Sequence, residues 1–166
     1  MMQYWITPDC YVAVNHKVAS TAIAEAIAKT FYSERLRDRE VNNPFTYRGL
    51  VEQTHDPKGM PIFLLVREPV DRFLSAMAMF NRRDVTETLM DIDLMSDVHF
   101  SEQSDFHFDK AFRFPEHLSV FCEEIGIKNL PVTNIGKEKS NLSQSERGAV
   151  CDKYAQDCVL YNSLEP

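Results

Sequence analysis

Hydrophobic positions along this chain fall into two kinds of block. Residues 11–14 and 61–66 (PIFLLV) are short, almost wholly apolar runs. Such runs read as strands buried on both faces of a parallel sheet. Residues 20–36 repeat their apolar positions at helical spacing, through Ala22, Ile23, Ala26, Ile27 and Phe31. Residues 70–82 place Phe73, Met77 and Phe80 on one face, and Pro69 suits a first helical turn. A weaker helix is expected over 85–95, and another over 115–125, stopped by Gly126. Residues 130–135 read as the third parallel strand, and 142–164 as a helical tail. Ser143 and Glu146 there have the spacing of a capping box.

Between these blocks the chain is polar or broken. Residues 1–10 read as a loop or a short edge strand, and 37–48 as a loop around Asn42-Asn43-Pro44. Residues 49–55 are open between helix and extended chain, and 56–59 form a turn. Residues 99–108 (HFSEQSDFHF) and 136–141 (GKEKSN) read as loops. Strands alternating with helices predict an α/β layer fold, and nothing divides residues 1–166 into two domains.

Composition narrows the function. The chain has 166 residues, 44% hydrophobic and 26% charged, with a net charge of −7. That balance argues against sequence-independent nucleic-acid binding, which needs a basic surface. No apolar run approaches the ~20 residues of a membrane span. No leader pattern is visible at the N-terminus, so a cytoplasmic protein is expected. Cys10, Cys122, Cys151 and Cys158 have no zinc-binding spacing, and free thiols are expected.

Two stretches carry candidate chemistry. In the first, the strand at 11–14 runs through Asn15-His16-Lys17 into Ser20-Thr21 at a helix start. A helix N-terminus has unpaired N–H groups and a positive dipole end. Lys17 adds a cation, and Ser20 and Thr21 add hydroxyls. The turn has no glycine, so it is not a Walker loop. A strand, a turn and a helix capped by Ser or Thr is also a common arrangement with no ligand. In the second stretch, Arg67 ends the strand at 61–66, and Arg72 and Ser75 follow on the next helix. The strand ends of α/β sheets are where ligands bind, and a guanidinium suits phosphate. Pairing of Arg67 with Glu68 or Asp71 is the ordinary alternative.

Together these stretches resemble the PAPS-dependent sulfotransferases, in particular their carbohydrate-type branch. The family's 5′-phosphosulfate loop, PK-x-x-S/T-T, is similar to His16-Lys17-Val18-Ala19-Ser20-Thr21, with His16 in place of proline. Its 3′-phosphate motif, VR-[DE]-P-x-x-R-x-x-S-A, is similar to residues 66–76. His99 to Ser104 resembles an H-x-x-P-Q segment, with Glu102 in place of proline. Tyr154 to Tyr161 resembles a Y-x-x-D-x-x-L-[FY] tail.

The resemblance implies a P-loop-like three-layer fold with a small central parallel sheet flanked by helices. It implies an enzyme that transfers a sulfuryl group from PAPS to a carbohydrate or small hydroxylated (or amine) acceptor, with no metal. Lys17, Ser20 and Thr21 would hold the phosphosulfate, and Arg67 and Ser75 the 3′-phosphate. Lys17 would stabilise the leaving oxygen. His55 is the first choice of general base, then His99, then Glu52. Lys137, Lys139 and Ser140 are further candidates for nucleotide contact. A non-catalytic nucleotide-binding module is the main alternative. A small P-loop kinase is weaker, because the Walker glycines are missing. Neither the acceptor nor the oligomeric state is readable from the sequence.

Overall fold

The computed structural model describes residues 3–36, 47, 59–128, 130 and 142–164, and the backbone of 52–53. Five strands form one sheet in the order β3-β1-β2-β4-β5. They are β1 (Tyr4–Ile6), β2 (Tyr11–Ala13), β3 (Glu52–Gln53), β4 (Ile62–Arg67) and β5 (Lys110–Phe114). β2, β4 and β5 run parallel, whereas β1 is antiparallel to both its neighbours.

The helices with described bounds are α1 (Ser20–Phe31), α2 (Ser33–Leu36), α3 (Pro69–Met79), α4 (Val85–Met90), α5 (Ile92–Met95), α6 (Leu118–Glu124), α7 (Gln144–Lys153) and α8 (Ala155–Ser163). Two single 3₁₀ turns, Val98–Phe100 and Gln103–Asp105, fill the loop after α5.

Alternation along β4 explains the layering. Phe63 and Leu65 point to a core with Ile23, Ala24 and Ile27 of α1 and Phe121 of α6. Ile62, Leu64 and Val66 point the other way, against Phe106, Phe108 and Leu160 and Tyr161 of α8. Helices therefore cover both faces, which accounts for the continuous apolar sequence of this strand. A third cluster joins Phe73 and Met77 of α3 to Val150 of α7, with Tyr154 at its end.

Several elements differ from the sequence reading. β1 is interior to the sheet, and Trp5 is buried. A Thr7–Cys10 turn makes β1 and β2 a hairpin, with the Thr7 hydroxyl accepting from the Cys10 N–H at 3.0 Å. Residues 110–114 had no assigned element, yet β5 is the third parallel strand among the described residues. Of the strand expected at 130–135, only Leu130 is described. Of the loop expected at 37–48, only Tyr47 is described, and it is helical and buried; the loop expected at 136–141 lies outside the described residues. The first helix stops at Phe31, where Tyr32 leaves the helical region and a one-turn α2 follows. The helix expected at 85–95 is two short helices, capped by Asp84 and Asp91.

The tail is also two helices. They break at Tyr154, whose ring is buried and whose hydroxyl donates to the Phe100 carbonyl at 2.8 Å. The Ser143–Glu146 capping box is present at the start of α7. Gly126 ends α6 with φ 74°, and a Cβ there would meet the Phe31 ring at 3.3 Å. All four cysteines are free. Cys151 and Cys158 meet across the Tyr154 break, where burial and then Cys151 push the Cys158 thiol up to about 11.

Candidate functional site

The loop from β2 to α1 is strained. Lys17 has φ 67° and Ala19 has φ 60°. A left-handed conformation costs a residue with a Cβ roughly 1–2 kcal/mol. Ala19 is also the N-cap of α1 and provides no side-chain cap. Residues 20–22 therefore start the helix without the usual Ser, Thr or Asp acceptor in front of them. The left-handed Ala19 followed by helical Ser20 is a nest-type turn, which gathers successive N–H groups into a concavity suited to an anion.

Both arginines of the second motif hold this loop. Arg67 Nη1 donates to the Lys17 carbonyl at 3.1 Å, and Arg72 Nε donates to the His16 carbonyl at 3.2 Å. Arg72 is buried, and its Nη2 has no hydrogen-bond partner among the described residues. On α3, Arg72, Ser75 and Met79 share one face by their spacing. Arg72 touches the loop, and Met79 Sδ lies 3.9 Å from Lys17 Nζ. Ser75 lies between them along that face and is half-buried.

Cations gather at the site. Burial, and then repulsion from Arg67, pull the Lys17 ammonium below its usual range. Burial likewise lowers Arg67, although Asp71 and Glu68 oppose it. Glu68 is engaged elsewhere, accepting from the Asp71 N–H at 2.8 Å as the N-cap of α3. The ordinary alternative, pairing of Arg67 with Glu68 or Asp71, keeps some support, since both carboxylates act on the Arg67 charge. Ser20 is buried at the start of α1, whereas Thr21 is exposed.

Beneath the loop lies a polar network that sequence reasoning did not foresee. Asn15 Nδ2 donates to the Leu65 carbonyl and to Gln103 Oε1, both at 2.9 Å. Gln103 Oε1 also accepts from the Arg67 N–H at 2.9 Å, while its Nε2 donates to the Arg67 carbonyl at 2.8 Å. The Asp157 carboxylate accepts from the N–H groups of Gln103 and Ser104 at 2.9 and 2.8 Å. Gln103 and Asp157 are fully buried. The two weaker sequence resemblances supply these parts. Their signal was a glutamine in an aromatic loop and an aspartate inside a helical tail, which periodicity alone treats as surface.

Among the candidate bases, His55 and the side chain of Glu52 lie outside the described residues. So do Lys137, Lys139 and Ser140. His99 is brought to the site, with its ring 4.6 Å from that of His16. His117 is structural, accepting from the Arg113 N–H at 3.3 Å. A cavity of about 790 Å³ lies against α6, lined by Glu116, Ser119, Glu123 and Lys128. None of the loop residues lines it, so chemistry rather than hollow volume locates the candidate site.

Among the described residues, no group of three or more His, Cys, Asp or Glu is placed to hold a metal. No described helix is long and apolar enough to cross a membrane. Compared with known proteins, the chain matches no family model, no curated protein and no solved structure.

Proposed function

We propose that this chain is a PAPS-dependent sulfotransferase with a P-loop-like fold, acting on a hydroxyl or amine of a carbohydrate or small-molecule acceptor. One observation carries the reading. Lys17 and Arg67, the cations of two separate motifs, are held close enough to repel each other at a strained, glycine-free loop on the N-terminus of α1. Mutual repulsion and strain both oppose folding, and a bound dianionic or trianionic ligand offsets both.

In this reading Lys17, Ser20, Thr21 and the first N–H groups of α1 grip the 5′-phosphosulfate. Arg67 and Ser75 take the 3′-phosphate. The acceptor oxygen attacks sulfur in line as the bond to the bridging phosphate oxygen breaks. The Lys17 ammonium stabilises charge growing on that oxygen, an effect of about 3–4 kcal/mol for one well-placed donor.

A second reading, a nucleotide-binding module without turnover, draws support from the arginines, since each uses a hydrogen bond to brace the loop itself.

Calorimetric titration with adenosine 3′,5′-bisphosphate, against 5′-AMP, tests the proposal. Micromolar binding that requires the 3′-phosphate and is weakened about 10–100-fold in Lys17→Met is expected. Equal binding of both nucleotides, or of neither, overturns it. Release of sulfate or sulfated acceptor from PAPS then separates enzyme from module.

A further inference from the structure

A carboxylate and two histidine rings converge beside the anion loop. Asp97 precedes the 3₁₀ turn Val98–Phe100 and accepts the His99 N–H at 2.9 Å. Capping needs no more than that. Yet the same Asp97 oxygen also lies 2.6 Å from His99 Nδ1. An ionised carboxylate only accepts, so Nδ1 carries a proton, and in the neutral ring Nε2 then has the lone pair. The ring is only 17% exposed and is fixed by a second set of contacts. It lies against His16, the residue before Lys17, and stands edge-on to Phe80 at 5.8 Å between centroids. Burial pushes the Asp97 carboxyl up, but the His99 hydrogen bonds together outweigh it and hold the group below its usual range. The carboxylate form is thus the one this pairing favours.

We propose that His99 is the general base of the sulfuryl transfer, with Asp97 as its positioning residue. The inference rests on the sulfotransferase reading above. The balance is simple. The acceptor O–H proton passes to His99 Nε2 while the acceptor oxygen bonds to sulfur. The bond from sulfur to the bridging oxygen breaks, and adenosine 3′,5′-bisphosphate leaves with that electron pair. His99 then returns its proton to water. A positioned imidazole of this kind contributes roughly 10²–10⁴-fold. Asp97 holds the tautomer, as the third member of a nucleophile–base–orienter chain does.

The test uses the full chain with [³⁵S]PAPS as donor and glycerol or water as acceptor, beside calorimetry with adenosine 3′,5′-bisphosphate. His99→Gln is expected to bind the bisphosphate within about twofold of the parent and to lose about 100-fold or more in turnover. Asp97→Asn is expected to lower kcat while leaving the KM for PAPS unchanged, with partial rescue in Asp97→Glu. Imidazole nitrogen NMR of the unsubstituted chain should show His99 protonated at Nδ1, and Asp97→Asn should lose that signature. Undiminished turnover in His99→Gln overturns the assignment, as does an Nε2–H tautomer in the parent chain. A parent chain that binds the bisphosphate yet transfers to neither acceptor also overturns it. Failure to bind the bisphosphate at all is a different result, because it removes the sulfotransferase reading itself.

Discussion

Gln103 and Lys17 stand on opposite sides of Arg67. Gln103 is buried, and its amide is engaged at both ends, by Asn15 and by both backbone groups of Arg67. Lys17 is only half-buried, is left-handed in its backbone, and is pressed toward a second cation. Below Arg67 the Gln103 amide is paired at both ends, whereas above it the Lys17 ammonium lies against the Met79 sulfur and faces a second cation. The contrast separates what holds the sheet edge together from what that edge is holding ready. A hydrogen-bonded base at Gln103 lets a strained and charged loop persist, because relaxing the loop would disturb the Arg67 backbone that the base holds.

Breaking the base should cost most. Gln103→Leu strands the Arg67 N–H and carbonyl and the Asn15 amide in the interior. A loss of about 3–5 kcal/mol is expected from urea unfolding, at ~1–3 kcal/mol for each unsatisfied group. A variant that unfolds at the parent midpoint would show that the network is incidental.

Removing the charge should do the reverse. Lys17→Met is expected to raise the melting temperature while weakening bisphosphate binding about 10–100-fold, the range of a charge-assisted contact. The sign follows from the lowered Lys17 value. The folded state disfavours the ammonium, so the penalty is full below the folded pKa and is relieved as pH rises through it toward 10.5. The gap in melting temperature between parent and variant should therefore narrow on the alkaline side. A gap independent of pH would assign the gain to something other than charge.

The smallest effect isolates strain from charge. Ala19→Gly keeps Lys17 and removes the Cβ penalty at φ 60°. It is expected to stabilise by at most about 1 kcal/mol, since glycine also loosens the unfolded chain. Bisphosphate binding should be unchanged. A large loss of binding would mean that the Ala19 side chain, rather than the backbone, shapes the concavity.

Much of this was legible in the sequence where one local signal decided the outcome. The apolar run before Arg67 marked both the strand and its end, Pro69 marked the next helix, and Ser143 with Glu146 marked α7. Gly126 marked the stop of α6. What escaped depended on distant partners. β5 reads KAFRF, too short and too charged to stand out, and becomes a strand by pairing with β4 along five residues. β1 looked peripheral because its three residues precede a Pro-Asp turn; the hairpin and β3 enclose it. The tail looked like one helix because periodicity does not register that Tyr154 is drawn inward to the Phe100 carbonyl. The cations of the candidate site were visible as motifs, but the Gln103 support was not, since its partners lie 36 and 54 residues away.

The reach of that support has a bearing on biosynthesis. Residues 11–75 contain both motifs of the proposed anion site, and they leave the ribosome early. The clamp that fixes Arg67 closes only when Asp157, on α8, has been made and has capped the turn at Gln103. A nascent chain therefore carries its cations for some ninety codons before it can align them. On the proposed function, bisphosphate affinity should require α8, although both motifs come well before it in the chain.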